Sequence, residues 1–252
     1  MPAGLAALLA LVMACGVSRG VGASATEHVP VATATPLATS GAMPAEPATP
    51  PNRGATLPRT TERIWNFDAD AVDAAPAGFT FVCAGTGSPG RWVVTKDPSA
   101  PSGTMVLGQV DADSTPDRCP VALENPMSIP DVHLSLRCKI VSGSLDQTCG
   151  LVARYRNPQN YFVTRASARD NSISLSIVQD GQLQQLARWQ GEVTPKVWHS
   201  YRFELRGLHL EVFWDDEQVI DYRGAFTDAG RVGVETKADS IAYFDDLRAE
   251  HF

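Results

Sequence analysis

From Val132 onward the chain repeats one pattern, in which apolar and polar residues alternate and turn chemistry separates the runs. Val132, Leu134, Leu136, Cys138 and Ile140 alternate with His133, Ser135, Arg137 and Lys139. Ile173, Leu175 and Ile177 alternate with Ser172, Ser174 and Ser176, and Tyr201, Phe203 and Leu205 with Arg202 and Glu204. Leu208, Leu210, Val212 and Trp214 alternate with His209, Glu211 and Phe213. Successive side chains of a strand point to opposite faces, so each run reads as a half-buried strand of an antiparallel sheet. Asn157-Pro158-Gln159-Asn160, Asp170-Asn171, Asp180-Gly181 and Arg206-Gly207 supply the turns between them. No helical period is sustained beyond residue 59; residues 70–77 allow one short turn that Pro76 ends. Many short strands at close spacing predict an all-β sandwich or barrel of antiparallel sheets.

The N-terminal quarter cannot join that body. Residues 21–59 are mostly Ala, Thr, Pro and Ser, and all aromatic residues lie beyond them. Such a stretch buries too little apolar surface to offset its ordering entropy, and it reads as a disordered tether. Residues 60–252 are long enough for one well-packed domain. Residues 1–20 read as an export signal: the apolar stretch from Met1 to Cys15 is too short to span a bilayer. Its end, Leu11-Val12-Met13-Ala14-Cys15, resembles the bacterial lipoprotein cleavage box, which implies lipidation at Cys15. The alternative is an ordinary cleaved signal with an incidental cysteine. Either reading puts the domain outside the cytoplasm, in the first case lipid-anchored in the cell envelope, with the membrane touched only through that anchor.

Net charge is −7, and the basic residues are scattered rather than clustered, which argues against a nucleic-acid partner. Four cysteines remain beyond Cys15, an even number that suggests two disulfides in an exported chain. Three connectivities are open. Cys138–Cys149 is favoured because the two would face each other on neighbouring strands, which leaves Cys83–Cys119. Zinc at these thiols is disfavoured, because no Cys-x-x-Cys occurs and His133 falls on the opposite strand face from Cys138.

Certain residues carry a family likeness. Gly150-Leu-Val-Ala-Arg-Tyr-Arg-Asn-Pro-Gln-Asn-Tyr-Phe-Val, Trp198-His199-Ser-Tyr-Arg-Phe, Gly230-Arg-Val-Gly-Val and Ala242-Tyr-Phe-Asp-Asp-Leu together resemble the concanavalin A-like lectin/glucanase superfamily. Exported bacterial domains of laminin-G-like or 3-keto-disaccharide-hydrolase-like type are the nearest relatives in that likeness. It covers about residues 67–252 and implies a jelly-roll sandwich of twelve to fifteen strands whose concave face binds carbohydrate. Terminal strands, here Glu62–Asp68 and Ser240–Glu250, lie side by side in such folds.

The likeness does not extend to a catalytic motif. Laminarinase-type members carry Glu-x-Asp-x-x-Glu on one strand; here the nearest stretch is Glu211 to Glu217, with Phe213 in place of the Asp. No Gly-x-Ser-x-Gly or His-Glu-x-x-His occurs, and His133, His199 and His209 stand singly on strands, a pattern that expects solvent exposure. No catalytic residue is therefore assigned. Arg154, Tyr161 and Arg165 are the expected ligand-binding residues, because alternation places them as cross-strand neighbours where a ring and guanidinium donors meet a sugar. Asp68, Asp245 and Asp246 are the expected ligands of a structural calcium ion, which relatives of this fold often hold near their terminal strands; no other cofactor is required. The expectation is a monomeric module that binds a glycan or polysaccharide. Its rivals are a glycoside hydrolase or 3-keto-disaccharide-hydrolase-like enzyme, and a laminin-G-like protein-interaction module.

Overall fold

A computed structural model describes residues 61–125, 128–224 and 226–251. The export signal, Cys15 and the tether lie outside them. The described residues belong to one unit, Gly54–Phe252, and contain no helix. Fifteen strands follow one another: β1 (Thr61–Trp65), β2 (Phe79–Gly85), β3 (Trp92–Lys96), β4 (Met105–Gln109), β5 (Arg118–Glu124), β6 (Val132–Ser142), β7 (Thr148–Asn157), β8 (Asn160–Ser167), β9 (Ser172–Gln179), β10 (Gln182–Gln190), β11 (His199–Arg206), β12 (His209–Trp214), β13 (Glu217–Arg223), β14 (Arg231–Glu235) and β15 (Ile241–His251). They form two antiparallel sheets. One has seven strands in the order β10-β9-β8-β7-β14-β5-β2; the other has eight, in the order β13-β12-β11-β6-β15-β4-β3 with β1 also paired to β15. The first and last strands are side by side, with Trp65 opposite Leu247.

Alternation decides what each sheet buries. From the eight-stranded sheet, Leu134, Leu136 and Ile140, Tyr201, Phe203 and Leu205, and Leu210, Val212 and Trp214 point inward. They meet Leu151 and Ala153, Phe162, Ile173, Leu175 and Ile177, and Val232 and Val234 from the other sheet. One buried hydroxyl pair crosses this core, Tyr201 Oη with Thr164 Oγ1 at 2.7 Å. It satisfies both groups where an unpaired one would cost about 1–3 kcal/mol.

The turns follow the sequence chemistry. Asp180 and Gly181 both take positive φ (50° and 78°), as a two-residue hairpin between β9 and β10 requires. The β11–β12 hairpin turns on Gly207 and Leu208, so Leu208 leaves the apolar face expected for it and is 54 % exposed. The region 70–77 forms turns without a helix.

Two cysteine expectations change. Cys138 lies on β6 and Cys149 on β7, strands of opposite sheets, so the two face each other across the core rather than along one sheet. Both are buried, and burial, with the hydrogen-bonded Cys149 thiol next, holds the Cys138 thiol well above its usual range. On the neighbouring pair β2–β5, Cys83 sits opposite Pro120 and Cys119 opposite Ala84. That one-residue offset turns Cys83 and Cys119 to opposite faces of their sheet. All four thiols are free in the structure.

Candidate functional site

The outer face of the seven-stranded sheet is recessed. Its outward residues Val121, Leu123, Val152 and Val163 are fully buried, although they belong to a small apolar cluster separate from the main core. Two cross-strand rows build it. One runs Val82–Val121–Glu235–Gly150–Arg165–Ser174–Arg188, and the next runs Thr80–Leu123–Gly233–Val152–Val163–Ser176–Gln185. Each row has a glycine near its middle. A Cβ on Gly233 would stand 2.1 Å from the Ala122 carbonyl oxygen, and one on Gly150 would stand 2.9 Å from the Thr164 oxygen and 3.4 Å from Arg165 Cγ. The missing side chain at Gly150 lets Arg165 reach across β7 to Glu235 on β14.

Arg165 Nε donates to Glu235 Oε1 at 2.7 Å, and the carboxylate is fully buried. The second oxygen, Glu235 Oε2, has no hydrogen-bond partner among the described residues. Burial raises the Glu235 carboxyl above its ordinary range, against the pull of Arg165. Burial also opposes the charge on Arg165, but Glu235 beside it leaves the guanidinium above its usual value. Arg165 Nη2 lies 3.7 Å from Cys119 Sγ, and burial, then Glu235, push that thiol up to about 12. Tyr155 and Tyr161 close the trough on one side with ring centroids 5.4 Å apart, and burial raises both phenols, Tyr155 to about 12.

Two adjoining depressions share Arg165, Leu183 and Lys237. One, of about 160 Å³, is lined also by Asp146, Thr148, Ser174, Ser176 and Arg188. The other, of about 240 Å³, is lined by Ala84, Cys119, Tyr161 and Val178. Asp146 holds Lys237 at 2.9 Å, and Asp170 at the rim accepts from the Ser167 hydroxyl at 3.2 Å. The hydroxyls of Ser174 and Ser176 and the exposed guanidinium of Arg188 line the trough without such partners among the described residues.

Of the expected ligand residues, Tyr161 and Arg165 meet here and Arg154 does not. Arg154 sits at a β-bulge with φ 48°. It is fully buried and donates to the carbonyls of Pro130 (2.7 Å), Phe226 (2.6 Å) and Gly207 (2.8 Å), with Asp131 at 3.3 Å. It ties three loops together and offers nothing to a ligand. Tyr161 is only 2 % exposed, so its ring is a wall of the trough rather than an open stacking platform. His199, expected in solvent, is buried against Trp214 at 4.4 Å, between Asp215 (2.7 Å) and the Thr194 carbonyl (2.9 Å).

The three expected calcium ligands all approach the segment 102–104 between β3 and β4. Asp246 Oδ1 accepts from Ser102 Oγ at 2.6 Å, Asp245 Oδ2 from Ser102 N at 3.3 Å, and Asp68 Oδ1 from Thr104 N at 3.3 Å. Their oxygens face protein donors, and the three do not gather within ligand distance of one another. Among the described residues the one such group is His209, Glu211 and Asp221.

No family model matches the chain, and no curated protein matches it. Solved structures do. The carbohydrate-binding module CBM66 from Bacillus subtilis aligns with a TM-score of 0.54 at 17 % identity, covering 68 % of this chain and 94 % of that one. A structure described as a native glycosidic hydrolase aligns with a TM-score of 0.51 at 12 % identity, covering 76 % and 95 %. At these identities the likeness establishes the fold alone, a jelly-roll sandwich of two antiparallel sheets. It is a fold that a carbohydrate-binding module and a glycosidic hydrolase share.

Proposed function

We propose that the trough of the seven-stranded sheet binds a glycan, and that this domain is a carbohydrate-binding module. The observation that carries the reading is the set of polar groups left over on a recessed floor. The Ser174 and Ser176 hydroxyls and the Arg188 guanidinium line the depression with no hydrogen-bond or ion-pair partner among the described residues, as a site built to hydrogen-bond sugar hydroxyls requires. Leu183, 57 % exposed at the junction of the two depressions, offers the apolar contact that Tyr161 does not. The carboxylates at the trough are engaged, Glu235 by Arg165, Asp146 by Lys237 and Asp170 by Ser167.

The test is a glycan array followed by calorimetry on the full chain. Ser174→Leu and Arg188→Ala are each expected to weaken the retained glycan about 10-fold, the loss of one or two hydrogen bonds, with an unchanged circular dichroism spectrum. Arg91→Ala, exposed beside β3 of the other sheet, is expected to change nothing. If no glycan is retained, or if the trough variants bind like the parent, the reading falls. Release of reducing sugar from a retained glycan would turn it into a hydrolase.

A further inference from the structure

The solvent face of the eight-stranded sheet carries a cross-strand row of carboxylates. In register, directly opposite one another, stand Glu62, Glu250, His133, Glu204, Glu211 and Asp221, on β1, β15, β6, β11, β12 and β13. Like charges directly opposite destabilise a sheet, so each pair needs a compensating cation. Arg248 bonds both Glu62 and Glu250, and Arg202 bonds Glu204 at 3.2 Å. Between the last pair, Glu211 and Asp221, stands an imidazole. His209 Nε2 lies 2.8 Å from Asp221 Oδ1, and Nδ1 lies 3.5 Å from Glu211 Oε2.

We propose that His209, Glu211 and Asp221 form a site for a divalent transition-metal ion of the zinc class. One ligand atom from each lies within 4.8 Å of the others. Bonds of about 2.0–2.2 Å to a single ion place such atoms roughly 3.4 Å apart in a tetrahedron, so one imidazole nitrogen and the two carboxylates close around the ion by side-chain rotation. An imidazole with two carboxylates suits zinc rather than calcium, which takes oxygen ligands. Two positive charges answer the two opposed carboxylates, as the arginines do elsewhere in the row. Gln218 Nε2 donates to the other Glu211 oxygen at 2.7 Å and fixes that carboxylate from outside. All three ligands are reachable from solvent and leave open positions for water or a partner's ligand. Arg206 and Arg223 flank His209 in register; their charge makes the site weaker than a closed structural one.

The experiment is calorimetric titration of zinc chloride alone into metal-free, tag-free full chain, repeated with His209→Ala and Asp221→Asn. The expected result is one ion per chain in the parent, lost in both variants and weakened about 10-fold by Gln218→Ala. The cobalt(II) complex should lack a thiolate charge-transfer band. Three results overturn the proposal: no zinc in the parent, a thiolate band, or binding that survives His209→Ala. The last, with loss in Asp221→Asn, would mark a nonspecific acidic patch. The site lies on the sheet opposite the trough, so either proposal can fail without the other.

Discussion

The outer faces of the two sheets begin from the same alternation and end differently. On the eight-stranded sheet the outward residues of β6 and β11, His133, Ser135 and Arg202 among them, line an open depression of about 430 Å³ and stay partly exposed, and Arg202 pairs with Glu204 at the surface. On the seven-stranded sheet the outward Val121, Val152, Val163 and Glu235 are closed off from water. Residue polarity does not explain this, since both faces carry ionic pairs. The difference lies in the middle of the rows. Gly150 and Gly233 lower the floor, and the Tyr155–Tyr161 pair walls it. An ion pair on the first face therefore sits in water, whereas the Arg165–Glu235 pair sits in a medium of low polarity where every mismatch is expensive.

The largest expected effect breaks that second pair. Arg165→Met leaves Glu235 buried without its cation and should cost roughly 3–5 kcal/mol in chemical denaturation. Arg165→Met with Glu235→Leu should recover most of the loss, because a buried ion pair replaced by apolar groups of similar volume is often neutral. If the single variant lost less than about 1 kcal/mol, the trough would be wetter than its burial indicates and the contrast between the faces would dissolve.

That buried pair also marks how far the sequence could be read. The juxtaposed termini follow only from the family likeness; period-two alternation and turn residues make the strands and the sandwich legible, because those depend on local geometry. Tyr161 and Arg165 were placed on one face for the same reason. Arg154 shares that face by the same count and is lost to a bulge: between Ala153 and Asn157 the register against β8 shifts by two residues, and the Arg154 side chain turns toward the loops at Pro130, Gly207 and Phe226. Glu235 and Lys237 were out of reach because β14 inserts between β7 and β5, a pairing that spans some eighty residues of chain. The alternating Ser172, Ser174 and Ser176 were visible as a polar face, but nothing local tells a recessed polar face from a solvated one. Cys138 and Cys149 were correctly read as neighbours and assigned to the wrong dimension, along a sheet instead of across the core.

A middle-sized effect tests burial near the terminal strands. Asp245 is buried, and burial first, with Asp246 beside it, pushes its carboxyl up to about 6 against the hydrogen bonds it accepts. The folded state thus binds this proton more tightly than the unfolded chain, whose carboxyl titrates near 3.8. The sign follows: the group favours folding below about pH 4, and that contribution is lost as pH rises through about 6. Asp245→Asn should remove this slope, stabilising the protein at pH 8 by at most about 3 kcal/mol and not at all below pH 4. Urea denaturation across that pH range reads it. Calcium added at pH 8 should leave both proteins unchanged; a calcium-dependent gain in the parent alone would assemble Asp68, Asp245 and Asp246 into the site their positions suggested.

The smallest effect belongs to the wet face and completes the comparison. Arg202 lies with its guanidinium 3.6 Å from the centre of the Phe213 ring and bonds Glu204 at 3.2 Å, yet its side chain stays one-third exposed. Arg202→Ala should therefore cost no more than about 1 kcal/mol, shared between a screened ion pair and a cation–π contact. At 1 M salt the Debye length shrinks to about 3 Å, which should erase the ion-pair share and leave the stacking share. The cost of Arg165→Met should not respond to the same salt, since ions cannot enter the floor of the trough. An equal salt response in the two variants would mean that both faces see the same solvent, and the recess that defines the candidate site would not exist in solution.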